Sequence, residues 1–340
     1  MLLSFLPAAA ARLGVLSCHC MAHVLDLSNF RGRLLAWYDR QQRTLPWRSK
    51  SRSPYRIWVS EIMLQQTRVA VVIPRYREFL KKFPSLRSLA ASREADVQAA
   101  WSGLGYYRRA RSLRAAARIV AKQHHGKVPS DISKLKALPG IGDYTAAAVA
   151  SIAFGKHEAV VDGNVRRVLT RMVGKSMTPS RYQVVAQKLL SPGRPGDFNQ
   201  AMMELGATVC LPLPKCDVCP VYDMCVGKGK PESPSRNHRT KKVRSRLALT
   251  IRKNSVFLIR RPKSSRIMPL MWELPPAKGR TGEIVLALKH SITNTNYSVE
   301  VCQVQTPPRG RSGRWISQNR LANLPLTGLT RKILHRTGNF

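Results

Sequence analysis

Acidic residues are what this sequence has least of. Only 18 Asp and Glu stand against 58 Lys and Arg, which gives a formal charge of +40 and a pI near 11.2. So large an imbalance repels itself and implies a polyanionic partner, a nucleic acid or an acidic membrane surface. No run of eighteen or more apolar residues occurs, which excludes a membrane-spanning helix; we expect nucleic acid and no membrane. A nucleotide P-loop is missing too. The glycine-rich stretch "LPGIGDYTAAAVASIA" continues with Asp143 and Tyr144, where Gly-Lys-Ser/Thr would hold a nucleotide phosphate. A disulfide scaffold is equally absent: of seven cysteines, four fall within sixteen residues, which points to a cofactor site in a reducing compartment.

What is present fits a globular protein. At 44% hydrophobic residues and 340 positions, the chain can build two domains with their own cores. The opening "MLLSFLPAAAARLGVLSCHC" has an apolar run but no basic residue before it, so it makes a poor signal peptide. We expect residues 1–28 to be a leader whose first twenty positions are disordered or an upstream extension of the reading frame, with Met21 opening a more ordinary start. An organelle-targeting reading stays open. Without it, the expected location is the cytoplasm, at the nucleoid if the source is bacterial.

From Asn29 to Cys210 apolar residues recur at three- and four-residue spacing, as in "PYRIWVSEIMLQQ" and "RSLRAAARIVAKQ", with Pro, Gly and Ser in the short connections. This predicts an all-α domain over 29–226. "GKGKPESPSRNHRTKKVRSR" then reads as an exposed basic linker, 227–243. Beyond it "RLALTI", "SVFLIRR", "YSVEVCQV" and "GRWIS" are short β-prone runs, and "TGLTRKILHR" is a short helix. The fold class is therefore an all-α domain followed by a small α+β domain over 244–340.

Two motifs carry chemistry on their own. In "CLPLPKCDVCPVYDMC", Cys210, Cys216, Cys219 and Cys225 include one C-x-x-C flanked by single cysteines. Zinc ribbons use two separated C-x-x-C pairs, so the spacing suits a [4Fe–4S] cluster held by four thiolates better; zinc and free thiols remain alternatives. Leu138–Gly142 lies between helical "SDISKLKA" and helical "DYTAAAVASIA". Gly140 and Gly142 allow close approach, so N–H groups opening the second helix can meet a backbone phosphate, a helix-hairpin-helix arrangement. A plain helix–helix turn is the alternative.

Hairpin, "VVDGNV" and cysteine loop together resemble the endonuclease III superfamily of base-excision DNA glycosylases, and within it the MutY-type adenine DNA glycosylases. "LPWR", "PYRIWVSEIMLQQT", "WSGLGYYRRAR", "LPGIGDYTA" and "VVDGNVRRV" carry the resemblance across nearly the whole helical domain. It implies a monomeric, monofunctional enzyme that flips adenine out of a mispair with 8-oxoguanine or guanine, and leaves an abasic site in double-stranded DNA. Bifunctional relatives have a hairpin lysine that attacks the sugar; Tyr144 stands there instead. Glu61 occupies the place of the acid that protonates the base, and its flanks "WVS" and "IML" predict that it is buried. Asp162 occupies the place of the anion that stabilises the oxocarbenium-like sugar, with Tyr144 and Asn164 holding the pair in register. For Asp162 a plain helix N-cap is the alternative.

The resemblance also assigns DNA contacts. Gln65 and Gln66 are candidates for filling the gap, Tyr106 or Tyr107 for intercalation, and Arg48, Arg108, Arg109 and Arg111 for phosphates. Rivals are a glycosylase for mismatched thymine or uracil, and a non-catalytic iron–sulfur nucleic-acid-binding protein. The last domain resembles, more weakly, the Nudix-like domain of MutY-type enzymes, with Ser291, Ile292, Thr293 and Asn294 at its recognition loop. It has no Nudix box of spaced glutamates, so nucleotide hydrolysis is not expected. Three features depart from the pattern: a first cysteine gap of five residues, Ile-Thr-Asn in the recognition triplet, and an inserted "SRIMP" before "LMWELP".

Overall fold

The computed structural model describes residues 26–49, 51–231, 240–277, 282–292, 294–308 and 313–340. Most of the expected leader and half of the expected linker lie outside them, as does Thr293. Helices come first: α1 (Leu27–Gln41), α2 (Pro54–Leu64), α3 (Val69–Lys82), α4 (Leu86–Ala91), α5 (Glu94–Ala100), α6 (Arg108–Gln123), α7 (Ile132–Lys136), α8 (Asp143–Phe154), α9 (Gly163–Val173), α10 (Pro179–Leu189) and α11 (Pro195–Thr208). Strands follow: β1 (Lys241–Leu249), β2 (Ile251–Arg252), β3 (Ser255–Arg260), β4 (Trp272–Glu273), β5 (Glu283–Ile292), β6 (Thr295–Gln303) and β7 (Gly313–Ser317), then α12 (Gln318–Leu321) and α13 (Gly328–Arg336).

The described residues divide into two compact units. One draws on the spans Met1–Thr44, Ser130–Ile132 and Gly142–Ser233; the other on Leu45–Pro129, Ser133–Ile141 and Pro234–Phe340. The helical region expected as one domain thus contributes to both, because the chain leaves the first unit after Thr44 and returns at Gly142.

In the first unit α1, α9, α10 and α11 surround a core that includes Phe30, Leu34, Val168, Leu169, Leu189, Phe198 and Leu205. Local chemistry sets the helix ends. Thr178 caps α10 ahead of Pro179, and Asp162 caps α9 by accepting from Val165 N–H at 2.7 Å. α8 is buried from Thr145 to Ile152, so its alanine run reflects enclosure and not an amphipathic surface helix.

In the second unit α2–α6 enclose Trp58, Tyr76, Phe79 and Trp101, the last two in edge-to-face contact at 5.7 Å. The same unit holds two sheets. The larger has the order β1-β6-β5, with β1 and β6 parallel and β5 and β6 antiparallel; the other is built on β3, which pairs with β2, β4 and β7. Leu249, Leu258, Val299, Val301, Ile333 and Leu334 form the core they share with α13. β5 is the strand that the sequence reading missed: it pairs with β6 throughout, so Ser291 and Asn294 sit at the end of a long hairpin.

Candidate functional site

In the second unit, Glu61 lies on α2, where every residue from Ile57 to Met63 is buried, and Glu61 itself is only 5% exposed. α2 ends at Leu64, and the chain turns through Gln66 in the left-handed region, φ 53°. Tyr106, just before α6, is left-handed as well, φ 47°. Neither is glycine, so each position stores roughly 1–2 kcal/mol of strain. Gln66 and Tyr106 are also exposed.

Arg109 secures both turns. Its guanidinium donates to the carbonyls of Ile62, Met63 and Gln65 on one side and of Leu104 and Gly105 on the other, at 2.8, 3.0, 2.9 and 3.3 Å for Ile62, Met63, Leu104 and Gly105. A further bond reaches Thr67 Oγ1 at 3.1 Å. Burial lowers its pKa to about 10. This corrects the expected phosphate contact: a guanidinium spent on α2's C-terminal carbonyls holds backbone, as cations at helix C-termini do. Tyr107 is a second correction. It is 5% exposed, and its hydroxyl donates to Leu326 O at 3.3 Å, so it has no ring face for a base.

Most of the remaining expected contacts converge, Arg48 and Gly142 excepted. A cleft of about 800 Å³ in the second unit is lined by Gln65, Gln66, Tyr106, Arg108, Arg111 and Ser291, among others. Ile292 and Gly140 line it as well, as do Arg266 and His290, which sequence reasoning passed over. Gly140 takes φ 81°, and a Cβ there would lie 2.6 Å from Ser112 Cβ, so the turn needs glycine twice over. At the hairpin end Ser291 donates to Asn296 Oδ1 at 2.7 Å, and Asn294 is exposed. Arg48 is half-buried.

In the first unit, Gly142 caps α8 without any side-chain hydrogen bond, and Tyr144 in that helix's first turn donates to Met203 Sδ at 3.4 Å. Asp162 does cap α9, yet it is more than a cap. Burial raises its pKa, against the opposing pull of Val165 N–H, Asn164 and the Arg167 charge. Asn164 Nδ2 donates to Asp162 Oδ2 at 3.2 Å, and Arg167 donates to Asn164 Oδ1 at 2.9 Å. Asn199, buried on α11, accepts from Val160 N–H at 3.0 Å and donates to Ser151 and to Glu158 O, fixing the segment that leads to Asp162. Nothing in the sequence pattern singles out Asn199; its role depends on three partners distant along the chain.

The cysteine loop is tied to the same helix. Arg167 donates to Cys210 O at 2.8 Å, and the buried Arg171 donates to Cys210 Sγ at 3.2 Å and to the carbonyls of Leu211 and Pro212 at 2.6 and 2.7 Å. All four thiols are free and partly buried. Burial pushes Cys219 up to about 11, with Cys210, Cys225 and Cys216 adding to the rise, so the thiols feel one another's charge. Among the described residues, no group of three or more His, Cys, Asp or Glu is gathered around a single-ion position.

The family model described as "HhH-GPD superfamily base excision DNA repair protein" matches residues 59–195. The human adenine DNA glycosylase is 47% identical over 233 residues, 64% of this chain and 43% of that protein. The chain accordingly spans under half the length of the mammalian relatives it matches. The adenine DNA glycosylase of Mycobacterium tuberculosis (strain ATCC 25618 / H37Rv) is 41% identical over 229 residues, 63% of this chain and 75% of that one. Among solved structures, a thermostable thymine-DNA glycosylase is 30% identical with a TM-score of 0.55, over 59% of this chain and 95% of that one. An endonuclease III–DNA complex at 22% identity and TM-score 0.51, over 60% of this chain and 97% of that one, shares the fold.

Proposed function

This chain belongs to the adenine DNA glycosylases of the HhH-GPD base-excision repair superfamily, and we propose that it is a monofunctional adenine DNA glycosylase acting on adenine opposite 8-oxoguanine or guanine. The observation that carries the reading is Glu61, a carboxyl held out of water on α2 in a chain with few acids. As the general acid it gives its proton to N7 of the flipped adenine and so makes a neutral leaving group. Asp162 supplies the anion that the oxocarbenium-like sugar needs. Asn164 and Arg167 support this role by holding the carboxylate in place. Tyr144, standing in place of a hairpin lysine, leaves no amine to form a Schiff base at that position, so the product is an abasic site and not a nick.

Duplex DNA is the partner. Gln65, Gln66 and Tyr106 line a cleft with Arg108 and Arg111, an arrangement suited to filling the gap left by a flipped base while meeting phosphates. Gly140 and Gly142 let a further phosphate approach the N-terminus of α8 closely. The C-terminal α+β part is read as the Nudix-like recognition domain, its β5–β6 hairpin facing the opposite base through Ser291, Ile292 and Asn294.

Cys210, Cys216, Cys219 and Cys225 fit a [4Fe–4S] cluster. They are unpaired thiols that sense one another, and both Arg171 and Gly229 N–H donate to their sulfurs, the latter to Cys216 at 3.4 Å. These four thiolates would hold such a cluster, which would cross-link the loop and supply no step of the excision. Iron and acid-labile sulfide near four each per chain support this; zinc alone overturns it. The function itself is tested with Glu61→Gln. Excision of adenine should vanish while binding to the mispaired duplex persists; an unchanged rate sinks the mechanism, and excision from thymine or uracil mismatches instead assigns a different base.

A further inference from the structure

The sheet β1-β6-β5 has two unlike faces. Inward lie Leu247, Tyr297, Val299, Leu286 and Leu288, on or against the core. Outward, in register, stand Lys242 beside Asn296 and Ser291, Arg244 beside Ser298 and Lys289, and Arg246 beside Glu300 and Ala287. A groove of about 1110 Å³ brings Arg244, Arg246, Lys289 and Glu300 of this face together with Lys332 and Arg336 of α13 and reaches to the inward Leu288 and Val299. Glu300 is the one acid among those residues, and Arg246 pairs with it at 2.5 Å. Lys242, Arg244, Lys289, Lys332 and Arg336 make no ion pair among the described residues; Lys332 donates to Lys289 O at 3.1 Å.

We propose that this outer face is a track for a sugar–phosphate backbone, which holds the duplex flank that runs on from the base read by the β5–β6 hairpin. The inference rests on reading that hairpin as a duplex contact. Two observations select the occupant. Six cations against one neutralised acid suit a polyanion. Apart from Ile284 at its far end, opposite Cys302, the outward register carries no large apolar side chain to anchor a protein partner, which needs such buried hot spots. Continuity gives its direction: Ser291 and Asn296, at the hairpin end, belong to this same face. From Asn296 to Glu300 the strand advances four residues, roughly 13 Å, or about four base pairs along a duplex.

The test uses the full chain with Arg244→Ser, Lys289→Ser and Lys332→Ser combined, and Arg244→Glu alone as a milder second variant. Affinity is measured against salt on adenine–8-oxoguanine duplexes with about ten base pairs on one side of the mispair and either about ten or about one on the other, in both orientations. On the long duplex the triple variant should lower the slope of log K against log salt by about 2–3, since each lost phosphate contact removes about 0.9. Arg244→Glu should lower it by about 1. On the duplex shortened on the side of the track both variants should match the unaltered protein, and single-turnover excision at saturating enzyme should not change. An unaltered slope on the long duplex, or an equal loss on the long duplex and both shortened ones, overturns the proposal. If the unaltered protein binds but fails to excise adenine, the enzymatic reading has failed, and the slopes still decide the groove.

Discussion

Gly206→Ala is the smallest change with the clearest consequence. Gly206 on α11 faces the start of α9, and a methyl there would lie 2.6 Å from Asn164 Cβ and 3.0 Å from its carbonyl carbon and oxygen. Carbon contacts settle near 3.5–4.0 Å, and backbone atoms cannot swing aside, so the two helices must part by about 1 Å. Alanine in place of glycine gains up to about 1 kcal/mol of helix propensity. Because the contact is with backbone, overpacking costs the upper part of its usual range, about 2–3 kcal/mol, so the clash wins and the variant loses about 1–2 kcal/mol. At roughly 1.5 °C per kcal/mol for a chain of 340 residues, Tm should fall by about 1.5–3 °C. The movement also carries Asp162 and Asn164 at the start of α9, and a misplacement of about 1 Å can lower a rate by about 100-fold. The assay is thermal unfolding alongside single-turnover adenine excision. A variant with full activity and an equal or higher Tm would refute the close approach and the demand for a fixed Asp162.

Three further variants probe Asp162 and Arg109. Asp162→Asn should abolish excision yet raise Tm at neutral pH: burial raises the carboxyl's folded pKa, so the anion is disfavoured in the native state, while Asn keeps the cap. The sign follows from proton uptake. Between the ordinary aspartate pKa and the raised one the folded state binds more protons, so the wild type gains stability as pH falls through that window and the gap to the variant narrows; a variant less stable than wild type at neutral pH contradicts this. Arg109→Leu should lose about 3 kcal/mol or more, since it orphans several buried carbonyls. Arg109→Lys should fold better but weaken binding to the mispaired duplex more than to matched DNA, because Gln66 and Tyr106 are no longer held; equal weakening on both duplexes counts against that role.

Much of this site was legible because its chemistry is local. Asp162 sits where a cap is expected, Glu61 is flanked by apolar residues that bury it, and glycine at 140 is demanded by its turn. Tyr106 and Tyr107, adjacent in sequence, divided by helical periodicity: Tyr107 continues the buried stripe of Ala110, Leu113 and Ala117. Arg109 lies on that buried side too, four residues before Leu113, a signal the basic run "RRAR" obscured. β5 was hidden for another reason. "EIVLALKH" carries apolar residues on both faces, and only pairing with β6 decides which face turns inward. Arg167, Arg171 and Asn199 act through carbonyls and thiols brought close by folding, which no spacing announces.

The central claim is tested most directly by single-turnover treatment of a duplex holding adenine opposite 8-oxoguanine, with and without hot alkali afterwards. Strand breaks at the adenine that appear only after alkali are the predicted result, for they require base loss without sugar attack by an amine. Breaks without alkali would contradict the role given to Tyr144, and no breaks under either condition would contradict excision itself.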